Sequence, residues 1–115
     1  MDSECYLHNC TLKIALEWLR TTLDDVRCIE SQGILLDEAR HGGSPVTISF
    51  TESVEEGPYC SVYCGGKVLP WASDAEMARA AFAFSDLPVR WGTDSRDPTE
   101  WWQLDRDGER RITWD

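Results

Sequence analysis

The sequence has little positive charge, few histidines and no long apolar run. Its 115 residues carry 11 lysine and arginine side chains against 21 aspartates and glutamates, a formal charge of −10. A field of that sign repels nucleic acid and anionic membrane surfaces and favours basic proteins as partners. Of the acids, 11 precede Pro58 and 10 follow it, so the charge belongs to the whole chain rather than to a tail. No stretch reaches the length that crosses a bilayer. Met1 to Asn9 is acidic and polar where an export leader carries a basic region and an apolar run. A cytoplasmic protein without a membrane partner is expected. The five cysteines, an odd number, are then expected as reduced thiols.

The residues that usually carry chemistry are equally sparse. Cys5, His8 and Cys10 lie close in sequence, and Cys60, Cys64 or His41 could complete a zinc set of four. The spacing of Cys60 and Cys64 is wrong for a paired-cysteine knuckle. Both share a strand face with Val62, as two buried thiols would. A thiol nucleophile needs a base beside it, and only His8 and His41 are present. Gly65-Gly66-Lys67 is not a phosphate-binding loop. Asp105-Arg106-Asp107-Gly108-Glu109 lacks the further ligands of a calcium loop. The acid pairs Glu55-Glu56, Asp94 with Asp97, and Asp105 with Asp107 sit in turns, where solvation is the ordinary state of a carboxylate; a hydrolase needs two acids at a set distance in unlike environments. No cofactor, metal or catalytic residue is expected. The competing reading is a small metal-dependent or thiol enzyme using His8, Cys10 and one of Cys60 or Cys64.

What is present is a patterned single domain, residues 1–115. Hydrophobic residues make up 42% and include six tryptophans, enough for one core. The centre is Val46 to Gly65. Val46, Ile48 and Phe50 alternate with Thr47, Ser49 and Thr51; Cys60, Val62 and Cys64 alternate with Tyr59, Ser61 and Tyr63. Period two in both runs predicts a hairpin with one buried face, joined by an acidic turn at Glu52, Glu55, Glu56 and Gly57. Thr11 to Arg27 reads as the main helix, with Leu12, Ala15, Leu16, Leu19, Leu23 and Val26 on one side and Asn9 as its cap. Met1 to His8 reads as an irregular lead-in, with Cys5 to Leu7 as a brief edge strand. Residues Cys28 to Arg40 fit two short strands around a turn at Ser31-Gln32-Gly33, or a short helix capped by Ser31; strands are preferred. His41-Gly42-Gly43-Ser44 is a turn. Lys67 to Leu69 can continue a strand after Gly65-Gly66.

Ser73 with Glu76 forms a capping box, predicting a helix from Asp74 to about Phe84 with Met77, Ala81 and Phe84 buried. Val89 to Trp91 reads as a strand. In the last hairpin, a three-residue turn at Arg106-Asp107-Gly108 would set Leu104 opposite Arg110 and Trp102 opposite Ile112. That keeps Trp102, Leu104, Ile112 and Trp114 on one face. Trp101 and Trp102 are consecutive and so face opposite ways. Trp18 and Trp114 are expected to bury against the sheet. The fold class is α+β: an antiparallel sheet of about five or six strands with two helices packed on one face. Thr47, Ser49, Thr51, Ser61 and Tyr63 suit the other face.

From Gly65 to Trp102, about a third of the chain, the order is a Gly-Gly turn after a strand, Leu69-Pro70, an alanine-rich helix ending at Phe84, then Leu87-Pro88-Val89-Arg90-Trp91. This stretch resembles part of an immunity-protein family from bacterial polymorphic toxin systems. The family's tryptophan–acid pair would fall on Glu100-Trp101 in reversed order, and Trp91-Gly92 lacks the acid. The resemblance implies an α+β or mostly β domain that binds and inhibits a deaminase or nuclease toxin, without touching nucleic acid itself. The charge points the same way, since acids can occupy a basic cleft in place of a polyanionic substrate. The partner-binding residues expected are Glu52, Glu55, Glu56, Asp94, Asp97, Glu100 and Trp101, provided that the 52 to 57 turn and the 94 to 100 loop share one end of the sheet. The other class of reading is an adaptor or chaperone with an acidic binding surface.

Overall fold

In the computed structural model, residues 1–31, 34–54 and 57–114 are described, with no side-chain account for residues 28–37. The chain opens with a strand, β1 (Asp2–His8), in which Ser3, Cys5 and Leu7 are buried and Glu4, Tyr6 and His8 are half-buried. This is a central strand, correcting the irregular lead-in with an edge segment. It pairs antiparallel with β5 (Tyr59–Gly66) over its whole length, Asp2 opposite Gly65 through His8 opposite Tyr59. On its other side it pairs with β6 (Val89–Gly92).

Asn9, with a φ of 53°, turns the chain off the sheet and donates its N–H to the Pro58 carbonyl at 2.7 Å. The cap of helix α1 (Leu12–Arg20) is therefore Thr11, not Asn9: its hydroxyl accepts from the Ile14 N–H at 3.2 Å. The helix stops well before Arg27. The Thr21 hydroxyl donates to the Trp18 carbonyl at 2.6 Å, and the Thr22 and Leu23 N–H groups both close onto the Leu19 carbonyl. Threonines and aspartates compete locally for backbone groups, and the run Thr21-Thr22 followed by Asp24-Asp25 uses that competition to end the helix. Leu23 is still buried, as part of the connection, and Val26 lies half-buried in strand β2 (Asp24–Ser31). The helical spacing of those two residues is thus coincidental.

β2 pairs with β3 (Ile34–His41), in keeping with the preferred strand reading; Gln32 and Gly33 of the expected turn lie outside the described residues. A tight turn at Gly42-Gly43, φ 56° and 83°, leads into β4 (Ser44–Thr51). Two successive left-handed residues match the twist of a hairpin, and glycine adopts them without strain. β4 then pairs with β5. Lys67 to Leu69 does not continue the sheet. Residues 67–73 form an irregular crossing in which Leu69 and Trp71 are buried, Trp71 lying 5.4 Å from Trp18 between ring centres. Gly66 starts that crossing, where a Cβ would stand 2.8 Å from the Pro45 carbonyl oxygen.

Helix α2 (Asp74–Ser85) starts where the cap predicts. The Ser73 hydroxyl accepts from the Glu76 N–H, and the Glu76 carboxylate accepts from Ala72 rather than from Ser73 itself. Met77, Ala78 and Ala81 are its buried stripe, and Phe84 is 44% exposed, correcting its place in the core. The stripe turns toward Ala78 and Phe82, which leaves Phe84 on the flank. Asp86, left-handed at φ 60°, ends the helix.

β7 (Glu100–Asp105) and β8 (Gly108–Thr113) complete one eight-stranded antiparallel sheet in the order β2-β3-β4-β5-β1-β6-β7-β8. The strand number exceeds five or six because β1 and the short β6 both enter the sheet and join β5 to β7. The last hairpin has a two-residue turn, Arg106-Asp107, with Leu104 opposite Glu109 and Trp101 opposite Ile112. The Asp105 carboxylate accepts from the Asp107 N–H at 2.9 Å, a side-chain-closed turn that sets this register. Trp102 and Leu104 therefore face the helices, while Trp101, Ile112 and Trp114 face away. Both α1 and α2 pack on the same side as the buried positions Cys5, Leu7, Ile48, Val62 and Val89.

Candidate partner-binding face

The face that no helix covers is built from rows of opposed residues. His8 stands beside Tyr59, and one continuous row runs Ser61, Tyr6, Arg90, Gln103 and Arg110 across five strands. Trp101 lies in the neighbouring row. The backbone of Trp114 is held by its N–H to the Thr99 carbonyl at 2.8 Å, and its ring folds back over the sheet. Tyr6, Trp101 and Trp114 form a mutual cluster with ring centres 5.0 to 5.4 Å apart, and Tyr59 joins it through Trp114 at 5.0 Å. Trp114 is half-buried here, on the open side, rather than sunk into the core.

Fixed charges thread this aromatic surface. The Arg90 guanidinium lies 4.3 Å over the Tyr59 ring and 4.8 Å from the Trp114 ring centre. Its Nε donates to the Gln103 Oε1 at 2.8 Å, and the Gln103 amide donates onward to Asp105 at 2.8 Å. Arg110 grips Asp105 with both terminal nitrogens, at 2.9 and 2.8 Å. Arg110, then the Gln103 amide, hold the Asp105 carboxyl well below the usual carboxylate range. Burial raises the Tyr59 phenol, against an opposing pull from Arg90.

The expected site residues do not assemble into one patch. β1 ends at His8 beside Tyr59, so the 52–58 connection leaves the sheet at that end. β6 starts beside Leu7 and runs the other way, so residues 93–99 leave it toward the Asp2 end. The strand directions thus separate the two connections. Glu52 is exposed at the first; Glu55 and Glu56 lie outside the described residues. Asp94 and Asp97 are exposed at the second. The Asp97 carboxylate accepts from the Thr99 hydroxyl and N–H, at 2.7 and 2.9 Å, which lowers its pKa and shapes the loop. Glu100 and Trp101 are neighbours on β7 and point to opposite faces. Glu100 turns to the helix side, its Oε1 3.2 Å from Arg111 Nη1 in an ion pair whose geometry falls short of a hydrogen bond. Of the five that are described, Trp101 alone belongs to the aromatic cluster.

Sequence reasoning missed Tyr6, Tyr59, Arg90 and Trp114 as parts of this surface. The signal was the alternation in β1, where Glu4, Tyr6 and His8 interleave with Ser3, Cys5 and Leu7. Serine and cysteine disguise the buried phase of that pattern.

The described thiols, Cys5, Cys10, Cys60 and Cys64, are buried on the other side of the sheet. Cys60 shares the buried row of Leu7, whereas His8 faces outward with its ring 5.2 Å from Tyr59. The Cys60 thiol donates to the Cys10 carbonyl at 2.8 Å, and the Cys10 thiol to the Thr11 carbonyl at 3.4 Å. Burial, and then the neighbouring Cys60, push the Cys10 thiol up to about 12, and burial raises Cys5 as well. A thiol held so far above neutrality is a poor nucleophile. Among the described residues, no three histidine, cysteine, aspartate or glutamate side chains converge as metal ligands. Nor is any described helix long and apolar enough to cross a membrane. Comparison with protein families, curated proteins and solved structures yields no match to this chain.

Proposed function

We propose that this chain is a protein-binding domain that docks a basic partner on the open face of its sheet and blocks it, as an immunity or antitoxin-like inhibitor does. The observation that carries the reading is the cluster of half-buried Tyr6, Trp101 and Trp114, packed against the buried Tyr59, on the face left free by both helices. Aromatic side chains supply large contact area at low entropic cost and dominate binding hot spots. A net charge of −10 steers a basic partner toward the molecule and speeds encounter. Exposed acids at Glu52, Asp94 and Asp97 stand at opposite rims of the sheet, where rim charges act on association rate more than on residence time. In this reading the partner is a toxin acting on nucleic acid, and the inhibitor works in the cytoplasm with its thiols reduced.

Affinity capture at low salt, followed by a salt titration of the recovered complex, tests the proposal. The expected result is one basic, stoichiometric partner whose association slows as salt rises, because attraction between exposed charges is screened over about 8 Å at physiological strength. Replacing Trp101 by alanine should weaken that complex by about 2 kcal/mol, roughly thirtyfold. A folded W101A protein that keeps full affinity would remove the open face from the interface.

A further inference from the structure

Arg90 differs from the arginines of α2 and of the β7–β8 hairpin. Arg79, Arg106, Arg110 and Arg111 each pair with a carboxylate, and their side chains are 45% to 80% exposed. Arg90 is more sheltered, yet among the described residues it has no carboxylate partner. Its Nε is committed to Gln103. Tyr59 and Trp114 cover its guanidinium plane. The terminal nitrogens make no hydrogen bond to any described residue, and the plane cannot easily turn, because Gln103 is itself tethered to Asp105. A sheltered charge that no described carboxylate meets favours a ligand that supplies one.

These nitrogens belong to a cleft of about 390 Å³ lined by His8, Val54, Pro58, Tyr59, Arg90 and Trp114. A cleft of this size that sets apolar walls beside one or two convergent polar groups can take a small ligand. We propose that the cleft is a binding site for a small planar carboxylate with an apolar body, of the benzoate class. The carboxylate meets the two free terminal nitrogens of Arg90 edge-on, the geometry a guanidinium fork offers. The flat body lies among Tyr59, Pro58 and Trp114, and the His8 imidazole can donate a further hydrogen bond from the rim. A single guanidinium fork matches one carboxylate. A phosphate dianion would suffer about twice the repulsion from a chain of charge −10, with no second cation in the cleft to offset it. The site goes beyond the docking reading and needs no protein partner, so either can fail alone.

Titration of the purified protein with sodium benzoate, benzamide and sodium phosphate tests the site. Tryptophan fluorescence reports on Trp114, and the Nε–H resonance of Arg90 reports on the guanidinium. Benzoate is expected to saturate with a Kd near or below about 1 mM. Benzamide and phosphate should bind at least tenfold more weakly, and benzoate should lose at least tenfold in affinity in R90Q. R90K keeps the charge without the fork and should still lose affinity severalfold; it is also the variant that decides if R90Q fails to fold. The proposal is overturned by the absence of saturable benzoate binding up to about 10 mM, by benzamide or phosphate binding as well as benzoate, or by undiminished binding in a folded Arg90 variant.

Discussion

The two faces of the sheet are made by the same strands and do opposite things. On the helix side, every second residue is small or apolar: Ser3, Cys5 and Leu7 on β1, Val46, Ile48 and Phe50 on β4, Cys60, Val62 and Cys64 on β5. No arginine is needed there except near the β8 edge, where Arg111 reaches Glu100 and Trp102. On the open side, the interleaved residues are aromatic, hydroxylated or charged, and a fixed chain of side chains runs from Arg90 through Gln103 and Asp105 to Arg110. One side gains stability by exclusion of water. The other packs half-buried rings over the buried Tyr59 and holds them in place with hydrogen-bonded charge, an arrangement suited to a protein that binds.

If that division is right, mutations should separate stability from recognition. The largest loss of stability belongs to the covered face. Ile48, with no solvent exposure, replaced by alanine should lower the unfolding free energy by about 2–5 kcal/mol in urea denaturation; a loss under about 1 kcal/mol would mean that the core does not extend to β4. Trp101→Ala removes two edge-on ring contacts from the open face and should cost about 1–2 kcal/mol of stability, less than Ile48→Ala, while costing about 2 kcal/mol in partner affinity, where Ile48→Ala in its folded state should cost little. Equal losses of stability from the two variants would erase the distinction between the faces.

The third expectation concerns acid. The folded-state pKa of Asp105 is depressed by Arg110 and Gln103, whereas in the unfolded chain it titrates near ~3.9. As pH falls the unfolded state therefore takes up the proton first. The carboxylate's contribution is complete above about pH 5 and drains away below about pH 4, toward the folded-state value. Asp105→Asn should cost about 1 kcal/mol at pH 7, since the pair is partly solvated, and should bring the urea midpoints at pH 7 and pH 3 closer together than in the parent. Identical acid responses would show that Arg110 does not hold this group. The smallest effect, and the only gain, is expected at Ser3. Its buried hydroxyl oxygen has no hydrogen-bond partner among the described residues, so Ser3→Ala should be neutral or stabilising by up to about 1 kcal/mol. A clear loss would reveal a partner for that oxygen.

The parts of this fold that the sequence announced are those whose signals are local. Ser73 and Glu76 mark the start of α2 wherever the helix packs, and Pro88 soon after Ser85 limits its end. The alternation of Val46 to Phe50 and of Cys60 to Cys64 needs no distant information. The register of the last hairpin required knowing that both faces of the sheet bury something. Grouping Trp102, Leu104, Ile112 and Trp114 on one side assumed a single apolar face, and so the hairpin came out one residue out of register. With Tyr6 and Trp101 waiting on the open side, Ile112 and Trp114 have apolar company there too. Helix α1 ran too far because Leu23 and Val26 keep helical spacing by chance. The candidate site was the least legible part: of the five expected residues that are described, Trp101 alone stands in the cluster, because whether two loops share one end of a sheet depends on strand order, and strand order has no local signature.

The central position of β1 bears on how the chain reaches this state. The four strands β2 to β5 can pair in sequence as one meander, and β6 to β8 as another, each by short-range contacts. Among the described residues, neither meander touches the other through backbone bonds, and the bridge between them is β1, whose partners lie at residues 59–65 and 89–90. Closing such distant contacts is entropically expensive and sets slow folding rates. Until β1 slots into place, the inner edges of β5 and β6 both present unpaired hydrogen-bonding groups, the kind of edge that recruits other chains. The molecule's most vulnerable interval is therefore the time between making its meanders and inserting its first strand.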